Sequence, residues 1–178
     1  MRQGEDNRIE SYVASAVFTF PEEKISGLAL SAGLSYITSI ADSYGLRETV
    51  SAATIKDHVG GLSVFISASL KDKFFFDIEY LGATEGFQAG ELSFDGGKAF
   101  EPNTWNLELA YAVNEGLEVA LKYEGGDDLG DFLPNKQYGA AVIYGLFENT
   151  SLAVEYLSGE YENNDERSLA TAQLAIEF

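Results

Sequence analysis

The chain has 178 residues, with 29 Asp and Glu against 11 Lys and Arg, one histidine and no cysteine. That length allows one domain, and a net charge of −18 excludes nucleic acid, whose phosphates need a basic face. Without cysteine there is no disulfide framework or thiolate site, and His58 alone cannot build a multi-histidine zinc site, so no cofactor is expected.

The first ten residues, MRQGEDNRIE, are polar and lack the apolar core of a secretion signal, so the chain reads as a mature piece of an exported protein. From residue 11 onward, apolar and polar residues alternate with the period of a β-strand. Residues 11–20 place Tyr12, Ala14, Ala16, Phe18 and Phe20 on one face. Residues 27–38 group Leu28, Leu30, Ala32, Leu34 and Tyr36 against Ser31, Gly33 and Ser35. Residues 61–70 set Leu62, Val64, Ile66 and Leu70 against Ser63, Phe65, Ser67 and Ser69. Next, Phe74, Phe76, Ile78 and Tyr80 oppose Phe75, Asp77 and Glu79. Trp105, Leu107, Leu109 and Tyr111 oppose Asn106, Glu108 and Ala110. In residues 117–124, Leu117, Val119, Leu121 and Tyr123 oppose Glu118, Ala120, Lys122 and Glu124. Tyr138, Ala140, Val142 and Tyr144 define a seventh run, and Leu152, Val154 and Tyr156, against Ala153 and Glu155, an eighth. The last run, 169–178, puts Ala170, Ala172, Leu174, Ile176 and Phe178 together. The expectation is nine strands and no helix.

Alternation suits a soluble sandwich as well as a membrane barrel. Three features favour the barrel. Tight turns at Pro21–Lys24, Lys71–Lys73, Asn114–Gly116 and Phe147–Thr150 alternate with long polar stretches at 39–58, 83–104, 125–137 and 159–167. Short turns at one rim and long loops at the other are what transmembrane barrels show. The apolar face carries rings near strand ends (Phe18, Phe20, Phe74, Trp105, Tyr123, Tyr138 and Phe178), where a membrane interface holds them. The opposite face is small yet charged, with Asp77, Glu79, Glu108, Glu118, Lys122, Glu124 and Glu155 expected to line a pore. The fold class expected is therefore all-β, an antiparallel transmembrane β-barrel in the bacterial outer membrane. Single-chain barrels usually have even strand numbers, so nine strands lead us to expect a C-terminal portion of a larger barrel, with edges open to self-association. The closing pattern Leu174, Ile176 and Phe178 fits the signal read by the barrel-assembly machinery.

Several stretches resemble the LbtU-type siderophore porins of Gram-negative outer membranes. They are SAGLSYITSIADSYGL (31–46), IKDHVGGLSVFISASLKDKFFFDIEYLGA (55–83), FQAGELSF (87–94), TWNLELAYAVNEGLEVALKYEG (104–125), LPNKQYGAAVIYGLFENTSLAVEYLSGEY (133–161) and SLATAQLAIEF (168–178). The resemblance implies a multistranded barrel through which ferric siderophores, or small solutes of that kind, cross without an energised plug. Members are longer, with more strands upstream.

Other motifs carry less. Asp57 and His58 are adjacent on a strand, so they point apart and cannot form the acid–base pair of a hydrolase; no G-x-S-x-G elbow exists either, and no enzyme activity is expected. The acidic segment Glu124–Asp131 lacks calcium-loop spacing and reads as a solvated loop, like the tip Asn163–Glu166. Weak divalent bridging to lipopolysaccharide suits both. The functional expectation is a passive porin among outer-membrane lipid; the alternative is a structural or adhesive barrel whose acidic loops bind lipopolysaccharide or a protein.

Overall fold

The strand alternation read from the sequence folds as one antiparallel sheet. A computed structural model describes residues 11–40 and 58–176. Its strands are β1 (Val13–Phe20), β2 (Leu28–Ile37), β3 (Gly61–Leu70), β4 (Phe74–Ala83), β5 (Asn103–Asn114), β6 (Leu117–Asp127), β7 (Lys136–Phe147), β8 (Thr150–Glu160) and β9 (Glu166–Ile176). Each pairs with its sequence neighbours in the order β1 to β9, the meander of an up-and-down barrel. The sheet is not closed: β1 and β9 are its end strands. Among the described residues no α-helix forms, and the one helical turn is a three-residue 3-10 segment, Glu22–Lys24.

One rim carries the short connections. Leu70 and Lys73 close the β3–β4 turn through a backbone bond of 3.1 Å, with Lys71 and Asp72 both at positive φ, 55° and 51°. That left-handed pair matches the right-handed twist of the strands it joins. The ladder slips between Ala112 and Asn114, and again between Gly145 and Phe147, just before the turns into β6 and β8. Bulges at such rims tighten the local bend.

Burial on the two faces is inverted relative to a soluble sheet. On the apolar face Ile66, Leu109, Val119, Leu121, Val142 and Val154 are exposed, Leu121 at 64 %, while Leu62, Val64 and Leu107 are half-buried. On the polar face Ala110, Ala120 and Ala141 are 3 %, 4 % and 9 % exposed, with Phe75 packed against them. Those four residues form one row across β4 to β7. Small side chains are shielded this well only where the sheet curls toward them, so the polar face is the concave one. Small residues also permit close packing there: a Cβ on Gly33 would overlap the Phe65 ring beside it.

Three expectations about connections need correction. The segment 159–167 is not a long loop, because the β8–β9 ladder runs on through Gly159↔Arg167 and Glu160↔Glu166, leaving five residues. Glu124 to Asp127 is strand rather than the start of an acidic loop. Backbone explains it: a Cβ on Gly125 would strike the Asn135 carbonyl and one on Gly126 the Asn103 carbonyl, so the glycine pair lets neighbouring chains approach. The stretch 83–104 is more than polar connection, since Phe87, Leu92 and Phe100 bury with Val59 and Ala83 in a core at the long-loop rim.

Candidate functional site

The seven residues read as pore-lining all stand on the concave face, because their strand positions share one parity with the buried alanines. They fall into cross-strand rows. Asp77, Glu108 and Lys122 are consecutive in one row; Glu79, Asn106, Glu124 and Gln137 are consecutive in the next, toward the long-loop rim. Glu155 lies in the alanine row, opposite Ala141, and Glu118 lies nearest the short-turn rim, opposite Ala112.

Lys122 neutralises part of this acid. Its Nζ is 2.7 Å from Glu155 and 3.4 Å from Glu108, so one ammonium bridges β5, β6 and β8. All three side chains are 21–30 % exposed, which leaves the pairs partly screened by water. Thr171 donates a further hydrogen bond to Glu155 at 3.4 Å. Asp77, Glu79, Glu118 and Glu124 have no salt-bridge partner among the described residues. Sequence reasoning placed only Lys122 among the cations of the polar face and missed Arg167. That arginine sits in the row of Glu124 and Gln137, opposite Gly159. The signal was present: counting back by twos from Thr171 reaches Arg167 once β9 is allowed to start at Glu166.

The long-loop rim is built rather than loose. Asp95, 3 % exposed, gathers the backbone N–H groups of Gly90 (2.7 Å), Leu92 (3.1 Å) and Gly97 (2.7 Å). The Gly97 N–H, with those of Leu92 and Gly90 and against the opposing effect of burial, holds its carboxyl below the ordinary 3.8. Phe87 and Phe100 pair as an isolated bridge, closing the base of this loop. Between the loop and the concave face lies a largely apolar cavity of about 600 Å³, bounded by Leu81, Ile37, Phe94, Phe132 and Leu133. Phe94 stacks on Phe132 at 5.7 Å, tying the β4–β5 loop to the β6–β7 loop.

The acidic tips hold one another. Asp128 accepts from the Glu101 N–H at 2.8 Å, Glu162 accepts from the Asp128 N–H at 3.1 Å, and Asn163 donates to Asp131 at 3.2 Å. No group of three or more acidic, histidine or cysteine side chains is disposed to hold a metal among the described residues. His58 is exposed just before β3; Asp57 lies outside the described residues. Of the closing pattern, Leu174 and Ile176 are exposed on the apolar face at 57 % and 51 %, and Phe178 lies outside the described residues.

Aromatic residues of the apolar face gather toward both rims. Phe74 and Tyr111 meet at 5.0 Å near the short turns; Trp105 and Tyr123 meet at 4.6 Å near the long loops. The Tyr80 hydroxyl lies over Gly82, the Tyr36 hydroxyl beside Gly60, and Tyr156 donates to Ser168 at 3.3 Å. All three hydroxyls lean toward the long-loop rim. No family model, curated protein or solved structure matches the chain.

Proposed function

We propose that this chain forms the wall of an outer-membrane pore for passive uptake of small solutes. The observation that carries the reading is the inversion of burial: aliphatic side chains stand out on the convex face while alanine, glycine and carboxylates fill the concave one. In water such an arrangement forfeits the hydrophobic gain; in lipid the aliphatic band is solvated and the polar face encloses water. Strands of 8–12 residues fit the ~9–11 that a tilted strand needs to span a bilayer. The two zones of rings, with tyrosine hydroxyls leaning toward one rim, fit the interfaces at either side.

Transport follows from fixed charge and needs no chemistry on the solute. The carboxylates that Lys122 leaves unpaired raise the cation concentration near the wall and repel anions. The resemblance to siderophore porins extends the proposal to ferric chelates as cargo, of neutral or cationic kind given this wall. The test is single-channel conductance after reconstitution into planar bilayers. Discrete, voltage-independent openings are expected. A folded, membrane-inserted protein that passes no current would instead support the structural or adhesive barrel. A chain that stays monomeric and folded without detergent would remove the membrane from the reading altogether.

A further inference from the structure

Charge on the concave face stops short of the long-loop rim. One row holds Asp77, Glu108 and Lys122, and the next Glu79 and Glu124. The row after that, Ser35, Ser63, Leu81 and Thr104, carries none, nor does Ile37, Gly61 and Ala83 beyond it. Against these two rows lies the cavity of about 600 Å³, and no acid, lysine, arginine or histidine lines it. That is a sharp departure for a chain with 29 acidic and 11 basic residues. Its volume falls within the roughly 300–1,000 Å³ of sites that take small ligands, which are mostly apolar in lining.

The cavity is not slack in the neighbouring core. Val59, Phe87, Leu92 and Phe100 pack to full burial on one side, while Leu81, Phe132 and Leu133 stay exposed across it. Small side chains at Ser35, Ser63 and Ala83 leave the room. Its walls are fixed from behind. Ala83 donates to the Pro102 carbonyl and Thr84 to that of Gly60, both at 2.9 Å, and Phe94 stacks on Phe132. Packed interiors do not keep a void of this size, and water inside it would find few polar partners.

We propose that this cavity binds an uncharged, mainly hydrocarbon small molecule. A charged group entering it would shed its hydration and meet no countercharge. An anion is disfavoured further, because an adjoining cavity that shares Leu81, Thr104, Leu129 and Leu133 is lined by Glu79 and Glu124. The apolar side chains left exposed gain from covering, and an apolar solute supplies the cover. The proposal rests on the reading of the concave face as a solute path, and it names the class of solute held at the long-loop end.

The chain has no cysteine, so Ser63→Cys supplies a single reporter thiol in the lining. In the detergent-solubilised full chain, its modification by methyl methanethiosulfonate should slow saturably as 2-naphthol is added. Ser151→Cys, on the same face at the short-turn rim, should react at a rate that 2-naphthol leaves unchanged. Naphthalene-2-sulfonate, the same ring system with a negative charge, should not protect Ser63→Cys. Phe132→Ala should raise the half-protecting concentration of 2-naphthol about tenfold through lost apolar contact. The sulfonate comparison leaves the wall intact, so the test stands should Phe132→Ala misfold. No protection of Ser63→Cys, equal slowing of Ser151→Cys, or equal protection by the sulfonate would overturn the site. Planar-bilayer recording separates the two readings: conductance without protection removes the site alone, whereas protection without conductance upholds the site and removes the pore.

Discussion

Asp95 shows how one residue organises a segment that composition marks only as polar. Its two oxygens take three backbone N–H groups, and the short loop between Gly90 and Gly97 winds around them. A carboxylate whose folded value lies below 3.8 contributes stability that is fully present above that pH. The contribution falls away as pH drops through the lowered folded value. Nicking within 88–99, by chymotrypsin at neutral pH and pepsin in acid and each rated against an unfolded peptide of the same sequence, should therefore stay slow at neutral pH and quicken below about pH 4, on the usual carboxylate scale. Asp95→Asn should nick readily at neutral pH and lose that dependence, because its NH2 group is itself a donor and cannot accept from the backbone N–H groups that both carboxylate oxygens serve. Equal nicking of both proteins at pH 7 would show that the Phe87, Leu92 and Phe100 core alone holds the loop.

At the scale of the strand, β6 separates its two faces most cleanly. Val119, Leu121 and Tyr123 are exposed while Ala120 is buried and Lys122 and Glu124 are half-buried between them. Leu121 lies near mid-strand and is 64 % exposed. Leu121→Arg should cost about 2–4 kcal/mol against wild type in equilibrium unfolding from lipid vesicles, the penalty for a cation near the bilayer midplane. On a water-facing surface the same change would stay within about 0.5 kcal/mol. The smaller figure would place this face in water. All nine strands were readable from alternation, since a period of two survives any tertiary context in which one face differs from the other. Strand ends were read less well. Gly125 and Gly126 look like turn residues, and only the proximity of the Asn135 and Asn103 carbonyls explains why the ladder continues through them.

For the whole molecule, the question is which charges set the field. Among the described residues Asp77, Glu79, Glu118 and Glu124 have no ion-pair partner, whereas Glu108 and Glu155 share Lys122. Lys122→Gln should therefore raise cation over anion preference, read from reversal potentials across a salt gradient. Glu108→Gln should change that preference less than Glu79→Gln does. Both effects should shrink toward molar salt, where the screening length falls to about 3 Å. A preference untouched by Lys122→Gln would show that charges other than this row govern permeation. The open edges of β1 and β9 belong to the same scale, since unpaired edges recruit further strands.

By itself the sequence determined the nine strands and which residues share a face. Each follows from backbone geometry: side chains alternate along a strand, and turn residues interrupt the alternation. Tertiary structure alone decided how the faces are used. Curling puts Ala110, Ala120 and Ala141 out of reach of solvent and turns leucine and valine outward, a choice that alternation leaves open. It also decided which charges meet. Glu108, Lys122 and Glu155 come from three strands and are joined by side-chain reach across the ladder. The Asn106 and Gln137 oxygens that lack a hydrogen-bond partner among the described residues were likewise invisible in one dimension, because such a lack is a property of packing.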